Sequence, residues 1–281
     1  NSLYHHYIKK SLFSSIDSCS VSSFSSQNTV ASASESSQSS GFQSKLQPNV
    51  GSPVKILDIP KFKDDFYLNN VDWSRNGPLG IALDNEVFLY TPENLQQISH
   101  HSLGQHVTGI KIEDQLMAVG LSNGLIELFD IEKCAKVRSL AKHSDRVSAL
   151  VFMDNLLVSG SKDKSILVHD LRQREHVVKQ FNRHRGEICT LKAKNTTEKV
   201  FASGSVDGSA IIWDLKFGFI DQMKAHKGAV KALDWCPWRN GILATGGGSQ
   251  QDKSIKLWNT TNSTLLHKNK IDSQISGLIW N

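Results

Sequence analysis

An all-β propeller is predicted by three features of the sequence: a recurring alternating run, a near-constant step between its copies, and a Trp-Asp or related pair closing the copies. The runs are Glu86-Val-Phe-Leu-Tyr90, Leu125-Ile-Glu-Leu-Phe-Asp130, Ser165-Ile-Leu-Val-His-Asp170, Ser209-Ala-Ile-Ile-Trp-Asp214 and Ser254-Ile-Lys-Leu-Trp-Asn259. Each alternates with the period of a strand and reaches a bulky side chain, Tyr90, Phe129, His169, Trp213 or Trp258, followed in the last four by Asp or Asn. These bulky residues stand 39, 40, 44 and 45 residues apart, the step of WD-repeat blades.

Taken in chain order, the repeats start late. Residues 11–40 hold 15 serines and few large apolar side chains. Such a segment cannot bury enough surface to offset its ordering entropy, so 1–50 reads as a disordered Ser-rich tail. Within it, 4–13 interleaves Tyr, Ile, Leu and Phe with Lys9 and Lys10, either a chance cluster or a short docking motif. Residues 51–70 form a lead-in segment and 71–281 an incomplete propeller. Its units are built around 71–90, 106–130, 143–170, 184–214 and 226–259, and 275–280 reads as the first strand of a sixth. An open ring leaves strand edges unpaired, so the expectation is a fragment of a seven-bladed ring.

Inside the later units, smaller signals keep the same step. His143, His184 and His226 each precede an apolar strand, at 147–152, 188–192 and 230–235. Small-residue strands follow at 157–161, 201–205 and 243–247, then tight turns carrying Asp163, Asp207 or Asp252. In the fourth unit His184, Ser203, Asp207 and Trp213 are placed to form a hydrogen-bonded relay tying loops to strands, and the fifth repeats it as His226, Thr245, Asp252 and Trp258. Each bond contributes only ~0.5–1.5 kcal/mol net, but an unpaired buried partner costs more. His169 stands where the third unit would carry Trp, so that relay is weakened or rewired, and the first two units are more degenerate.

A His-Ser-Asp set invites a hydrolase reading, and the repetition argues against it. A catalytic triad occurs once, beside an oxyanion hole; here the trio returns 42 residues later, from His184 to His226, as a fold device does. Gly246-Gly-Gly-Ser249 is no phosphate loop either, because it lacks the following Lys-Ser/Thr and ends a strand instead of opening a helix. The chain is therefore read as non-enzymatic and without a cofactor.

Composition narrows the class further. In 281 residues, Lys+Arg 32 against Asp+Glu 27 gives a net charge of +5, too dilute for a nucleic-acid groove. Mean hydropathy is −0.30, and no run approaches the ~18 apolar residues of a spanning helix. The four cysteines, Cys19, Cys134, Cys189 and Cys236, are 115, 55 and 47 residues apart, which offers neither a CxxC zinc pair nor a disulfide framework. A soluble intracellular protein, bound to neither nucleic acid nor membrane, is the expectation.

Several stretches are more specific than the repeat. Lys55-Ile-Leu-Asp-Ile-Pro60, Asp64-Asp-Phe-Tyr-Leu-Asn69 and Val71-Asp-Trp-Ser74 resemble the opening of the Fizzy family, activators and substrate receptors of the anaphase-promoting complex, a ubiquitin ligase. Ala229-Val-Lys-Ala-Leu-Asp-Trp-Cys-Pro-Trp238 with Leu243-Ala-Thr-Gly-Gly-Gly248 looks like that family's most recognisable blade, and Glu187-Ile-Cys-Thr-Leu191 and Ser273-Gln-Ile275 match its fourth and sixth. The Cys-Pro-Trp wording leans toward the cell-division-cycle branch over the Fizzy-related one.

The resemblance implies a propeller surface that reads degrons, the destruction box and the KEN box, in disordered cyclin-like substrates. It places Asp58 against the degron arginine, a charge-assisted fork-on-carboxylate pairing, and Asp65 at the KEN lysine. Gln274 and Ser249 match further polar positions of that pocket. It implies ligase subunits and checkpoint inhibitors as partners, and residence in nucleus and cytoplasm. The chain also departs from the family. Gly204-Ser-Val-Asp-Gly208 stands where the family carries Gly-Gly-Asn-Asp-Asn, so Val206 and Gly208 replace hydrogen-bonding asparagines. His6-Tyr-Ile-Lys-Lys10 is at most a faint echo of the docking box. Ser52-Pro53 and Thr91-Pro92 are minimal proline-directed phosphorylation contexts. A WD-repeat scaffold in a trafficking or signalling complex is the alternative reading.

Overall fold

Alternating apolar runs separated by Gly-, Asp- and Asn-bearing turns can only fold as hairpins, and the chain does so throughout. The computed structural model describes residues 57, 63–74, 77–194, 198–224, 226–249 and 252–280, all within the compact unit Leu57–Asn281. The tail 1–50, with Cys19, and Asp58 lie outside the described residues.

Blade one comprises β1 (Val71–Trp73), β2 (Leu79–Leu83), β3 (Glu86–Tyr90) and β4 (Gln97–Ser102). Blade two comprises β5 (Val107–Glu113), β6 (Leu116–Leu121), β7 (Leu125–Asp130) and β8 (Ala135–Ala141). Blade three comprises β9 (Val147–Met153), β10 (Leu156–Ser161), β11 (Ile166–Asp170) and β12 (Val177–Phe181). Blade four comprises β13 (Ile188–Ala193), β14 (Val200–Ser205), β15 (Ser209–Asp214) and β16 (Gly218–Lys224). Blade five comprises β17 (Val230–Trp235), β18 (Ile242–Gly247), β19 (Ser254–Asn259) and β20 (Thr264–Lys270). Each blade is a four-stranded antiparallel meander in chain order, and among the described residues no ladder joins the first sheet to the fifth.

Burial grades outward along each blade. Every residue of β9 is buried, whereas all of β20 except Asn269 is exposed. The core lies between blades, because a strand's two faces look into two different gaps. On β15, Ile211 and Trp213 enter the gap with blade three, while Ala210 and Ile212 enter the gap with blade five. Similar apolar clusters fill the gaps between blades one and two and between blades two and three.

Glycines on each blade's second strand let the next blade's first strand approach. A Cβ at Gly80, Gly160, Gly204 or Gly246 would lie within 3.0 Å of Ile110 and Ile112, Ile188, Val230 or Ile275. Residues 275–280, expected to open a sixth blade, keep this contact through Ile275 but form no strand.

The bulky residue closing each repeat has a further structural role. The register between third and fourth strands shifts immediately before Tyr90, Phe129, His169, Trp213 and Trp258, in all five blades. A bulge at that point re-aims the large side chain into the sheet face and raises the local twist.

Candidate functional site

The turn between second and third strands of a WD blade has to be pinned, and the buried polar residues there show how. In blade four, His184 Nδ1 donates to Asp207 Oδ2 at 3.1 Å, Ser203 Oγ donates to His184 Nε2 at 2.7 Å, and Trp213 Nε1 donates to Ser203 Oγ at 2.7 Å. The carboxylate fixes the tautomer, and the direction of every later bond follows. Burial pushes the Asp207 carboxyl up, but hydrogen bonds from His184, Ser209 and backbone N–H groups outweigh it and hold the acid well below its ordinary range. Blade five repeats the device: His226 meets Thr245 Oγ1 at 2.6 Å and Asp252 Oδ2 at 3.2 Å, and Trp258 Nε1 donates to Thr245 Oγ1 at 2.9 Å. Buried Lys256 also donates to Asp252, at 3.0 Å.

Blade three is rewired. His143 bridges Asp163 and Ser159, each at 2.8 Å, and His169 occupies the tryptophan's place, 2.7 Å from Ser159 Oγ. With Asp163 accepting from His143 Nδ1, Ser159 donates to His143 Nε2 and accepts from His169 Nε2, which leaves His169 a bare Nδ1 that accepts from His176 Nδ1 at 2.9 Å. Burial, reinforced by His176, draws the His169 pKa down to about 3, so the ring is neutral as this chain of bonds requires. Ser159 and Ser203 are fully buried, and their hydroxyls are committed to these relays.

The residues expected to read a ligand stand at the same end of the sheets. Asp65 accepts from Tyr67 N and from Arg146 Nη1, both at 2.9 Å. Arg146 in turn grips Glu187 with both arms, Nε to Oε1 at 2.7 Å and Nη2 to Oε2 at 2.9 Å. Burial raises the Asp65 carboxyl, but the bonds from Tyr67 and Arg146 bring it below its ordinary value. Beside it, the Phe66 ring lies over Gly248, where a Cβ would sit 2.4 Å from Phe66 Cζ. Gln274 Nε2 donates to Gly248 O at 2.9 Å, and the adjoining Ser249 Oγ accepts from Asp252 N at 3.1 Å. Gly248 thus gathers three of the four candidate residues, Asp65 through its neighbour Phe66. The fourth, Asp58, lies outside the described residues.

Asp65 is therefore not a bare carboxylate awaiting a cation. It shares Arg146 with Glu187, and the trio carries one net negative charge on a partly exposed rim. Val206, 37% exposed, adds an apolar spot beside it, its N–H donating to Glu187 O. The sequence reading missed Arg146, Glu187, Asn69 and Lys231 as site residues. A charged Lys231 set between Val230 and Ala232 in a wholly buried strand was the available signal. Among the described residues no metal-binding cluster occurs and no helix is long and apolar enough to cross a membrane.

The model of the CDC20/Fizzy WD40 domain matches residues 57–281. WD repeat-containing protein srw1 of Schizosaccharomyces pombe is 37% identical over 234 residues, 81% of this chain and 42% of that protein. Protein FIZZY-RELATED 1 of Arabidopsis thaliana is 37% identical over 234 residues, 82% of this chain and 49% of that protein. Meiotic fizzy-related protein 1 of S. pombe is 37% identical over 233 residues, with shares of 81% and 55%. The chain thus spans about half the length of the curated relatives it matches. The Fizzy-related names of the last two give the Cys-Pro-Trp lean toward the cell-division-cycle branch no added support. A chain of the crystal structure of a mitotic checkpoint complex superposes with a TM-score of 0.78 at 30% identity, over 90% of this chain and 78% of that one. U3-55K, at 18% identity and a TM-score of 0.62, shares the fold alone.

Proposed function

This chain belongs to the CDC20/Fizzy WD40 family, and from that membership we propose that it is a non-catalytic activator and substrate adaptor of the anaphase-promoting complex. It holds degron-bearing, cyclin-like proteins for ubiquitin transfer and meets checkpoint inhibitors on the same rim, in nucleus and cytoplasm. The observation that carries this reading is the gathering of Asp65, Ser249 and Gln274 around Gly248 within a chain that matches the family from residue 57 onward. The non-catalytic reading is supported by the repeated relays, in which the Ser159 and Ser203 hydroxyls are buried and committed to hydrogen bonds.

Individual degron contacts are weak, so affinity in this role comes from joint engagement of receptor and ligase, which raises the effective concentration of the substrate. Affinity capture of the full-length natural protein tests the reading: co-purification of cyclosome subunits and degron-dependent retention of a cyclin-like fragment are expected. Recovery of a trafficking or signalling complex without those subunits would replace it with the scaffold reading.

A further inference from the structure

The backbone from Asp65 to Asn69 is stitched to the first strands of four blades. On blade two, Asn69 N donates to Thr108 O at 3.1 Å and Ile110 N donates to Asn69 O at 2.9 Å. Asn69 Nδ2 donates to Ser148 O of blade three at 2.6 Å and to Cys189 O of blade four at 3.0 Å. From blade five, Lys231 Nζ donates to Asn69 Oδ1 at 2.6 Å and reaches Tyr67 O at 3.1 Å, Leu68 O at 3.2 Å and Cys189 O at 3.4 Å.

Lys231 is 5% exposed. A buried ammonium costs several kcal/mol unless acceptors surround it, and three of its four acceptors belong to the lead-in segment. Glu187 and Asp65 favour its charge and Arg146 opposes it, while burial pulls its pKa down to about 8 and pushes the neighbouring Cys189 thiol up to about 12. None of the relays uses Lys231, and the apolar clusters between blades do not include it.

We propose that Lys231 is a positioning residue for the rim: without touching a bound peptide, it holds the lead-in segment so that Asp65 meets Arg146 and Phe66 meets Gly248. The clamp stands on geometry alone; only its consequence for ligand binding rests on the receptor reading.

The test compares Lys231→Met with the unaltered full chain and with Leu128→Ala, a core truncation on blade two that removes no bond to the lead-in segment. Amide hydrogen exchange at Tyr67, Leu68 and Asn69 is expected to accelerate by on the order of tenfold or more in Lys231→Met, as loss of a charge-assisted bond implies. Leu128→Ala should leave those amides in step with the rest of the protein. Fluorescence anisotropy with a labelled Lys-Glu-Asn peptide should show weaker binding by Lys231→Met than by Leu128→Ala. Unaltered exchange at 67–69 overturns the clamp, and faster exchange with unaltered peptide affinity overturns the positioning role. No Lys-Glu-Asn binding by the unaltered chain overturns the receptor reading of this rim instead. If Lys231→Met does not fold, Asn69→Ala removes a side-chain partner from the opposite side and is read by the same two measurements.

Discussion

Arg146 donates to Asp65 across 81 residues of sequence, Nη1 to Oδ2 at 2.9 Å, while its other two nitrogens donate to Glu187. One guanidinium thus joins the lead-in segment, blade three and blade four. Arg146→Met is expected to destabilise the protein by about 2–3 kcal/mol, chiefly because mostly buried Glu187 loses its partner. Urea denaturation reads this directly, and a loss below about 0.5 kcal/mol would show that the carboxylates find solvent or another partner.

Trp213→Phe keeps the ring in the core and removes one donor from Ser203 Oγ. A cost of about 1–2 kcal/mol is expected, for a lost bond beside a buried hydroxyl. His169→Phe in blade three removes a donor to Ser159 and the acceptor for His176, so it should cost at least as much. The reverse order in thermal unfolding would mean that the rewired relay contributes less than the Trp-bearing one.

Acid should unfold the protein early. Burial, with His176 adding, holds His169 at about 3, and burial, with Lys256 adding, holds His226 at about 4. Unfolded histidines titrate near about 6.5, so between that pH and about 4 the unfolded chain binds more protons and stability falls as pH falls. The relay carboxylates, held below their ordinary range, add a second loss once pH drops through the unfolded carboxylate pKa of about 4. The urea midpoint should fall between about pH 7 and about pH 5, and His169→Phe should flatten that fall. A level midpoint in the unaltered protein would contradict the buried neutral state of these rings.

Two substitutions test the proposed degron sites separately. Asp58→Ala should weaken a destruction-box peptide more than a Lys-Glu-Asn peptide, and equal loss in a titration would count against the assignment of Asp58. Val206→Asn should strengthen the Lys-Glu-Asn peptide, since Val206 is 37% exposed and can be replaced without repacking. Gly208 admits no such change: its φ is +79° and a Cβ would lie 2.5 Å from His226 O. A Val206→Asn chain with unaltered peptide affinity would place the KEN contact elsewhere.

The parts of the fold legible in the sequence are those with local periodicity. The 209–214 run foretold β15 residue for residue, and His184, Ser203, Asp207 and Trp213 form the expected relay. Outer strands such as β4 and β8 carry no apolar alternation to find, since most of their side chains face solvent. The third relay's continuation into His176 was hidden because it depends on how a turn folds back. The rim's wiring was hidden for another reason: Lys231 meets Asn69 from 162 residues away, and no spacing rule reaches that far.

That distance has a consequence for biosynthesis. Residues 65–69 leave the ribosome long before the strand bearing Lys231, yet their seat is made of Thr108, Ser148, Cys189 and Lys231 together. The early segment cannot complete its seat until the strand bearing Lys231 has been synthesised and stacked on the earlier blades. It behaves as a keystone, cut first and set last, so a nascent chain halted before blade five would carry Asp65 without a fixed address.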